Sequence, residues 1–203
     1  MVLTMSLYQQ QKAVKPPVED IAAEYLESGM AQLTVDFAGY LRANKMKPSW
    51  VLSNQWRAVY KGRQICRVTI YQKHMLTDEK YLASTCKKSK WVITAYLENL
   101  GKYEDIVISE NLQKFLWDNV FYCVQKPVDS LPPVGMRNHA LSYPCNIWGC
   151  APGKNITVCG EELTNICRNG NRQYFWFHDP DEATVAAVKR LLELEQRARE
   201  SKV

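Results

Sequence analysis

The hydrophobic positions of this chain recur with two periods. Val18, Ile21, Ala22, Tyr25 and Leu26 are spaced to share one face of a helix, and Gly29 is placed to end it. Leu33, Phe37, Tyr40 and Leu41 repeat that spacing over residues 31–44, after which Pro48 biases Lys47 away from helix. The character then changes. Residues 56–60 and 64–71 are rich in β-branched and aromatic side chains, with Lys61-Gly62-Arg63 between them as a turn; Gly62 suits the left-handed position of a tight hairpin. Residues 91–97 predict a third strand, and residues 74–90 a polar connection. Helical spacing returns over 105–123, with Ile108, Leu112, Phe115 and Val120 expected inward. A short helix over 161–167 and a strand over 174–177 follow. The last helix carries the fullest set of signals. Asp179 is expected as N-cap, Pro180 at the first helical position and Glu182 as the capping-box acid. Val185, Val188, Leu191 and Leu192 face inward, and Arg197, Arg199 and Lys202 meet the C-terminal end of the dipole.

Two stretches interrupt this patterning. Residues 1–17 are polar, end in Pro16-Pro17 and read as a flexible lead-in. Residues 126–154 contain Pro127, Pro132, Pro133, Gly135, Pro144, Gly149, Pro152 and Gly153. Loops beyond ~12–15 residues are uncommon unless functional, disordered or held by something. The pattern therefore predicts one α+β domain over 18–203. A small antiparallel sheet is built around residues 49–97 with helices packed on one face. An irregular Cys-containing subregion (126–170) precedes the C-terminal helix.

Composition adds bounds. The chain has 203 residues, 46% of them hydrophobic, with six Trp and eleven Tyr, which is enough for a packed core without disulfides. No apolar run approaches the roughly 18 residues of a membrane span, so no membrane partner is expected. Residues 1–17 lack a basic start followed by an apolar core, and a cytoplasmic location is the expectation.

Seven cysteines in a reducing compartment are more naturally thiols or metal ligands than disulfides. Four of them, Cys145, Cys150, Cys159 and Cys167, follow the spacing C-x4-C-x8-C-x7-C around the irregular segment. Four thiolates suit tetrahedral zinc, which would supply folding energy there; His139 and His178 are alternative ligands. The spacing matches neither paired zinc knuckles nor the common ferredoxin runs for an iron–sulfur cluster. Buried structural thiols, a redox role, and a thiol- or metal-dependent enzyme centred on Cys145 and Cys150 stand beside the metal reading. Cys66 and Cys123, each within an apolar stretch, read as core. Gly149 to Lys154 is no phosphate loop: its glycines are too close, and Asn155 stands where Ser or Thr would hold magnesium.

The net charge of +5 is unevenly placed: residues 42–90 carry +10 and the remainder −5. The basic segment interleaves cations with aromatics, and Trp56, Arg57, Tyr60 and Arg67 are its candidate ligand contacts. Such mixtures bind single-stranded nucleic acid or a small anionic or aromatic ligand. The alternative is a solvated sheet face over core aromatics, and the pI of 8.8 lies below the ~9 guide for nucleic-acid-binding domains.

Tyr40-Leu41-Arg42, Met46 to Trp50, Asn54, Trp56, Tyr60-Lys61-Gly62 and Cys66, with Cys150, Pro152-Gly153-Lys154, Gly160, Cys167 and Phe177 to Asp181, resemble a family of small, uncharacterised, Cys-containing proteins from anaerobic bacteria. The similarity spans residues 35–195. It implies a bacterial cytoplasmic setting and no activity or functional residue. A looser similarity exists to small-molecule-binding α+β domains of bacterial regulators. The expected function is a non-catalytic ligand-binding or accessory module. A Cys145/Cys150 enzyme and a nucleic-acid-associated factor using residues 42–90 are the alternatives.

Overall fold

Strands β1 (Pro48–Leu52), β2 (Gln55–Tyr60), β3 (Arg63–Ile70) and β4 (Trp91–Tyr96) run as an antiparallel meander. Strand β7 (Tyr174–His178) joins the far side of β4, giving the order β1-β2-β3-β4-β7. This is a computed structural model, and it describes residues 6–71, 89–120, 154–166 and 174–201. The six α-helices of the described residues are α1 (Leu7–Val14), α2 (Val18–Tyr25), α3 (Ser28–Ala43), α4 (Glu104–Ser109), α5 (Gln113–Trp117) and α6 (Glu182–Glu200). A separate hairpin pairs β5 (Lys154–Val158) with β6 (Glu161–Ile166). The molecule is α+β, with a five-stranded antiparallel sheet as its organising layer.

Alternation along the strands decides what lies inside. Trp56, Ala58 and Tyr60 of β2 are buried while Arg57 is exposed. Cross-strand partners share a face, so Trp56, Val68, Ile93 and Phe177 form one inward row, and Ala58, Cys66, Ala95 and Phe175 the next. Helices α2 and α6 pack on β3, and α3 packs on β1 and α6. Phe37, Leu41, Val188, Leu191 and Leu192 join these rows in one hydrophobic cluster. Fully burying an apolar side chain of this size contributes about 1.5–3 kcal/mol.

Several elements differ from their sequence-based expectation. The lead-in, expected to be flexible, holds α1, closed by a capping box between Ser6 and Gln9. Gln11 is the buried residue of α1, and it seats the helix: its Oε1 accepts from Asn54 N (2.8 Å) and Trp50 Nε1 (3.2 Å). Residues α2 and α3 are divided at Leu26 and Glu27, both extended, and Gly29 lies inside the first turn of α3. Strand β1 begins on Pro48, a position that suits proline because an edge strand needs no ladder donor there. The helix expected over 105–123 is broken at Asn111, whose φ is 56°. The break turns Val107 and Leu116 inward and leaves Ile108 43% exposed. Of the residues expected as a short helix over 161–167, Glu161–Ile166 instead form β6, and Cys167 lies outside the described residues. Cys159 (φ 50°) and Gly160 (φ 78°) make a left-handed two-residue turn that returns the chain onto β5.

The cap of α6 lies two residues later than expected. Asp181 accepts from Thr184 N (2.8 Å). Asp179 does a different job: its Oδ1 accepts from Lys90 N (2.7 Å) and Trp91 N (3.0 Å), tying the start of β4 to the end of β7. The four inward residues expected on α6, Val185, Val188, Leu191 and Leu192, are all buried. Among the described residues no helix is long and apolar enough to cross a membrane.

Candidate functional site

The four residues expected to form one ligand surface are divided between the two faces of the sheet. Trp56 is 1% exposed beneath the helices, and its Nε1 donates to the carbonyl of Pro16 at 2.8 Å. Tyr60 is also buried on that side, and its hydroxyl donates to Glu200. That bond raises the Tyr60 pKa, with burial adding to it. Neither ring is displayed to a ligand; both are core side chains whose polar atoms are engaged. The correction has a simple cause: a strand sends successive side chains to opposite faces, so Trp56 and Arg57 cannot share one.

Arg57 and Arg67 do stand together. They are direct cross-strand partners on β2 and β3, on the face turned away from the helices. The same row continues through Thr94 of β4 to Trp176 of β7, with Ser49 of β1 beside Arg57. Burial deepens along it. Arg57 is exposed, Arg67 is half-buried and Thr94 is buried, so the guanidinium of Arg67 sits at the step between the open and the covered parts of the face.

A β-bulge makes this pairing. At the Lys61-Gly62 turn Tyr60 pairs with Arg63 and Val59 with Gln64, but Ala58 then pairs with Cys66. Ile65 is the extra residue, and it moves the register on by one. Without it Arg57 would oppose Cys66. With it the two arginines are directly opposed, an arrangement that is unfavourable for like charges without a counter-charge.

No hydrogen bond or ion pair links either guanidinium to another group among the described residues, and Nε of Arg67 is buried without a partner. Two neighbouring amides are similarly placed. Gln55 Oε1 and Gln64 Nε2 are buried and unpartnered, and both belong to strand positions on the arginine face. Buried polar groups are normally paired, and leaving one unmade costs about 1–3 kcal/mol. An acceptor is therefore wanted at Arg67 and Gln64, and a donor at Gln55. Alternation within 55–57 could have placed Gln55 beside Arg57 from sequence. Gln64 could not have been placed, because its face depends on the bulge.

Among the described residues, the other strand positions of this face are uncharged. Thr69, Val92, Thr94, Tyr96, Trp176 and His178 carry it across β3, β4 and β7. His178, considered as a metal ligand, has Nδ1 2.7 Å from Ser89 Oγ, and its ring is tilted against Trp176 with centroids 6.0 Å apart. Ser89 is 2% exposed.

The cysteine centre is described at one position. Cys145, Cys150 and Cys167, together with His139, lie outside the described residues. Cys159 is buried in the β5–β6 turn, and its backbone N–H donates to Glu104. Burial, with the Glu104 carboxylate nearby, pushes its thiol up to about 11, which holds it protonated at neutral pH. Among the described residues no group of three or more His, Cys, Asp and Glu side chains is arranged to hold a metal ion. Cys66 is fully buried, and burial pushes its thiol up as well.

No protein-family model, curated protein or solved structure matches the chain.

Proposed function

We propose that this protein is a ligand-binding module that takes a small anionic ligand on the face of its sheet turned away from the helices, with Arg57 and Arg67 as the charged contacts. One observation carries the reading: two arginines are directly opposed across β2 and β3 with no acid paired to either among the described residues. An anion between them converts an unfavourable apposition into two charge-assisted contacts. Arg67 has the larger part, because a half-buried guanidinium is screened less than an exposed one. Binding rather than chemistry is the role these groups suit. Arginine stays charged at all working pH values and serves to recognise planar and tetrahedral oxyanions. The hydroxyl of Ser89, hydrogen-bonded to His178, is too buried to reach a substrate on this face.

The test is calorimetric titration of the protein and of the double variant Arg57→Gln/Arg67→Gln with carboxylate, sulfate and phosphate compounds. The expected result is saturable binding of at least one class, lost in the double variant. If the double variant binds every class as the unaltered protein does, the site is elsewhere.

A further inference from the structure

Charge count and donor geometry say more about the anion, granted that the Arg57–Arg67 face is the binding site. We infer that it selects a doubly charged tetrahedral oxyanion, the phosphate monoester of a small molecule, over a carboxylate or a phosphodiester. Two guanidiniums present two positive charges at adjacent positions of one row. A monoanion leaves one of them uncompensated, whereas a phosphate monoester carries close to two charges at neutral pH and three acceptor oxygens. The unpartnered donors agree with this. Nε of Arg67 and Nε2 of Gln64 both lack an acceptor, so a ligand with oxygens in several directions satisfies more of the site than a planar carboxylate does.

The distribution of charge separates this from a nucleic-acid track. A strand of phosphodiesters is held by cations spread along it, with affinity built from several phosphate contacts. Among the described residues, the cations of this sheet face are confined to Arg57 and Arg67. Ser49, Gln55, Val59, Gln64 and Thr69 surround them on β1 to β3, and the β4 and β7 positions of the same face carry no Lys or Arg. Two charges in a neutral polar surround fit one phosphoryl group.

A matched set of probes tests the inference: glycerol 3-phosphate (monoester), dimethyl phosphate (diester), sulfate and acetate, titrated calorimetrically into the full chain. Glycerol 3-phosphate is expected to bind at least about tenfold more tightly than dimethyl phosphate or acetate, a margin of about 1.4 kcal/mol. Its binding should weaken between pH 7.5 and pH 5, as its second proton returns near pH ~6, while sulfate binding stays level. Arg67→Lys should retain part of the affinity and Arg67→Gln lose it. Arg57→Gln, at an exposed position, should lower affinity without lowering the thermal unfolding midpoint, which separates loss of binding from loss of fold. Equal binding of monoester, diester and acetate would overturn the inference and leave the anion-binding reading standing. Binding of none of the four, with a single-stranded oligonucleotide bound in a steeply salt-dependent way, would overturn it in favour of nucleic acid. Binding of no anion at all would remove both.

Discussion

The two faces of the sheet differ in how their charged groups are paired. Beneath the helices, charged side chains are paired even where burial is complete, although the neutral indole Nε1 of Trp91 is buried there without a partner. Glu195 of α6 has no solvent exposure, yet it accepts from Asn99 N (3.0 Å), Asn99 Nδ2 (2.9 Å), the Tyr103 hydroxyl (2.9 Å) and Arg199 Nε (2.8 Å). Burial, and then the Glu195 carboxylate, raise the Tyr103 pKa, so this hydroxyl remains a donor throughout the stable pH range. Arg199 also donates to the carbonyls of Arg63, Gln64 and Tyr96 (3.2, 3.3 and 3.3 Å), which pins the end of the helix to the sheet. On the other face, two like charges are opposed, and a guanidinium nitrogen and two amide atoms are left without partners. The first arrangement is what stability requires. The second runs against stability, and a binding site tolerates it because the ligand completes it.

This contrast makes predictions of opposite sign. The largest effect is expected from Glu195→Ala, which takes from the buried Arg199 the nearer of its two carboxylates, leaving Glu98 at 3.9 Å, and leaves several donors unmet. It should lower unfolding free energy by about 3–5 kcal/mol in urea titration. Next comes Gln11→Ala. It removes the acceptor for Asn54 N and Trp50 Nε1 and should cost about 1–3 kcal/mol. A chain that tolerated this change would show α1 to be loosely held. Asp181→Ala, at the α6 cap, should cost about 1 kcal/mol.

The Asp181 effect has a pH signature. Hydrogen bonding from Thr184 holds the Asp181 carboxyl below its ordinary value. A depressed folded-state pKa means the contribution is full above the unfolded value of ~3.9 and is lost as pH falls through the lower folded value. The difference between wild type and Asp181→Ala should therefore be constant from neutral pH to about pH 4.5 and shrink below it. The smallest effect has the opposite direction. Arg57→Thr should raise the stability of the ligand-free protein by about 0.2–1 kcal/mol, because it relieves the cross-strand repulsion. Arg67→Thr should do the same, and the double variant should gain less than the sum, since one repulsion cannot be relieved twice. Destabilisation by both single changes, measured without ligand, would show that the two faces follow the same rule after all.

Much of this architecture was legible in the chain. The inward residues of α6, the β2–β3 hairpin with Gly62 at φ 77°, the strand at Trp91 and the α+β class all follow from period and turn chemistry. The misread elements share a cause, which is that a tertiary contact outweighed local preference. Residues 161–166 include two glutamates and a leucine, good helix formers, but pairing with β5 through the Cys159-Gly160 turn holds them extended. Helix α1 has little apolar surface, and what seats it is Gln11 reaching residues 43 positions away. Asp179, a sound N-cap by its neighbours, is occupied by the start of β4.

The candidate site shows the same division. Sequence alone determined that residues 42–90 would be basic and that Arg57 and Arg67 would each lie on a strand among aromatics. It also determined, through alternation, that Arg57 and Trp56 would point apart. What only the tertiary structure decided is that the two arginines meet. That depends on Ile65 being accommodated as an extra residue in β3, which sets two successive buried residues, Ile65 and Cys66, in the strand and changes every cross-strand pair beyond it. Between bulges, local pattern specifies which face a side chain occupies. Register, set by the packing of the whole sheet against its helices, specifies which side chain stands opposite it, and here that places charge against charge.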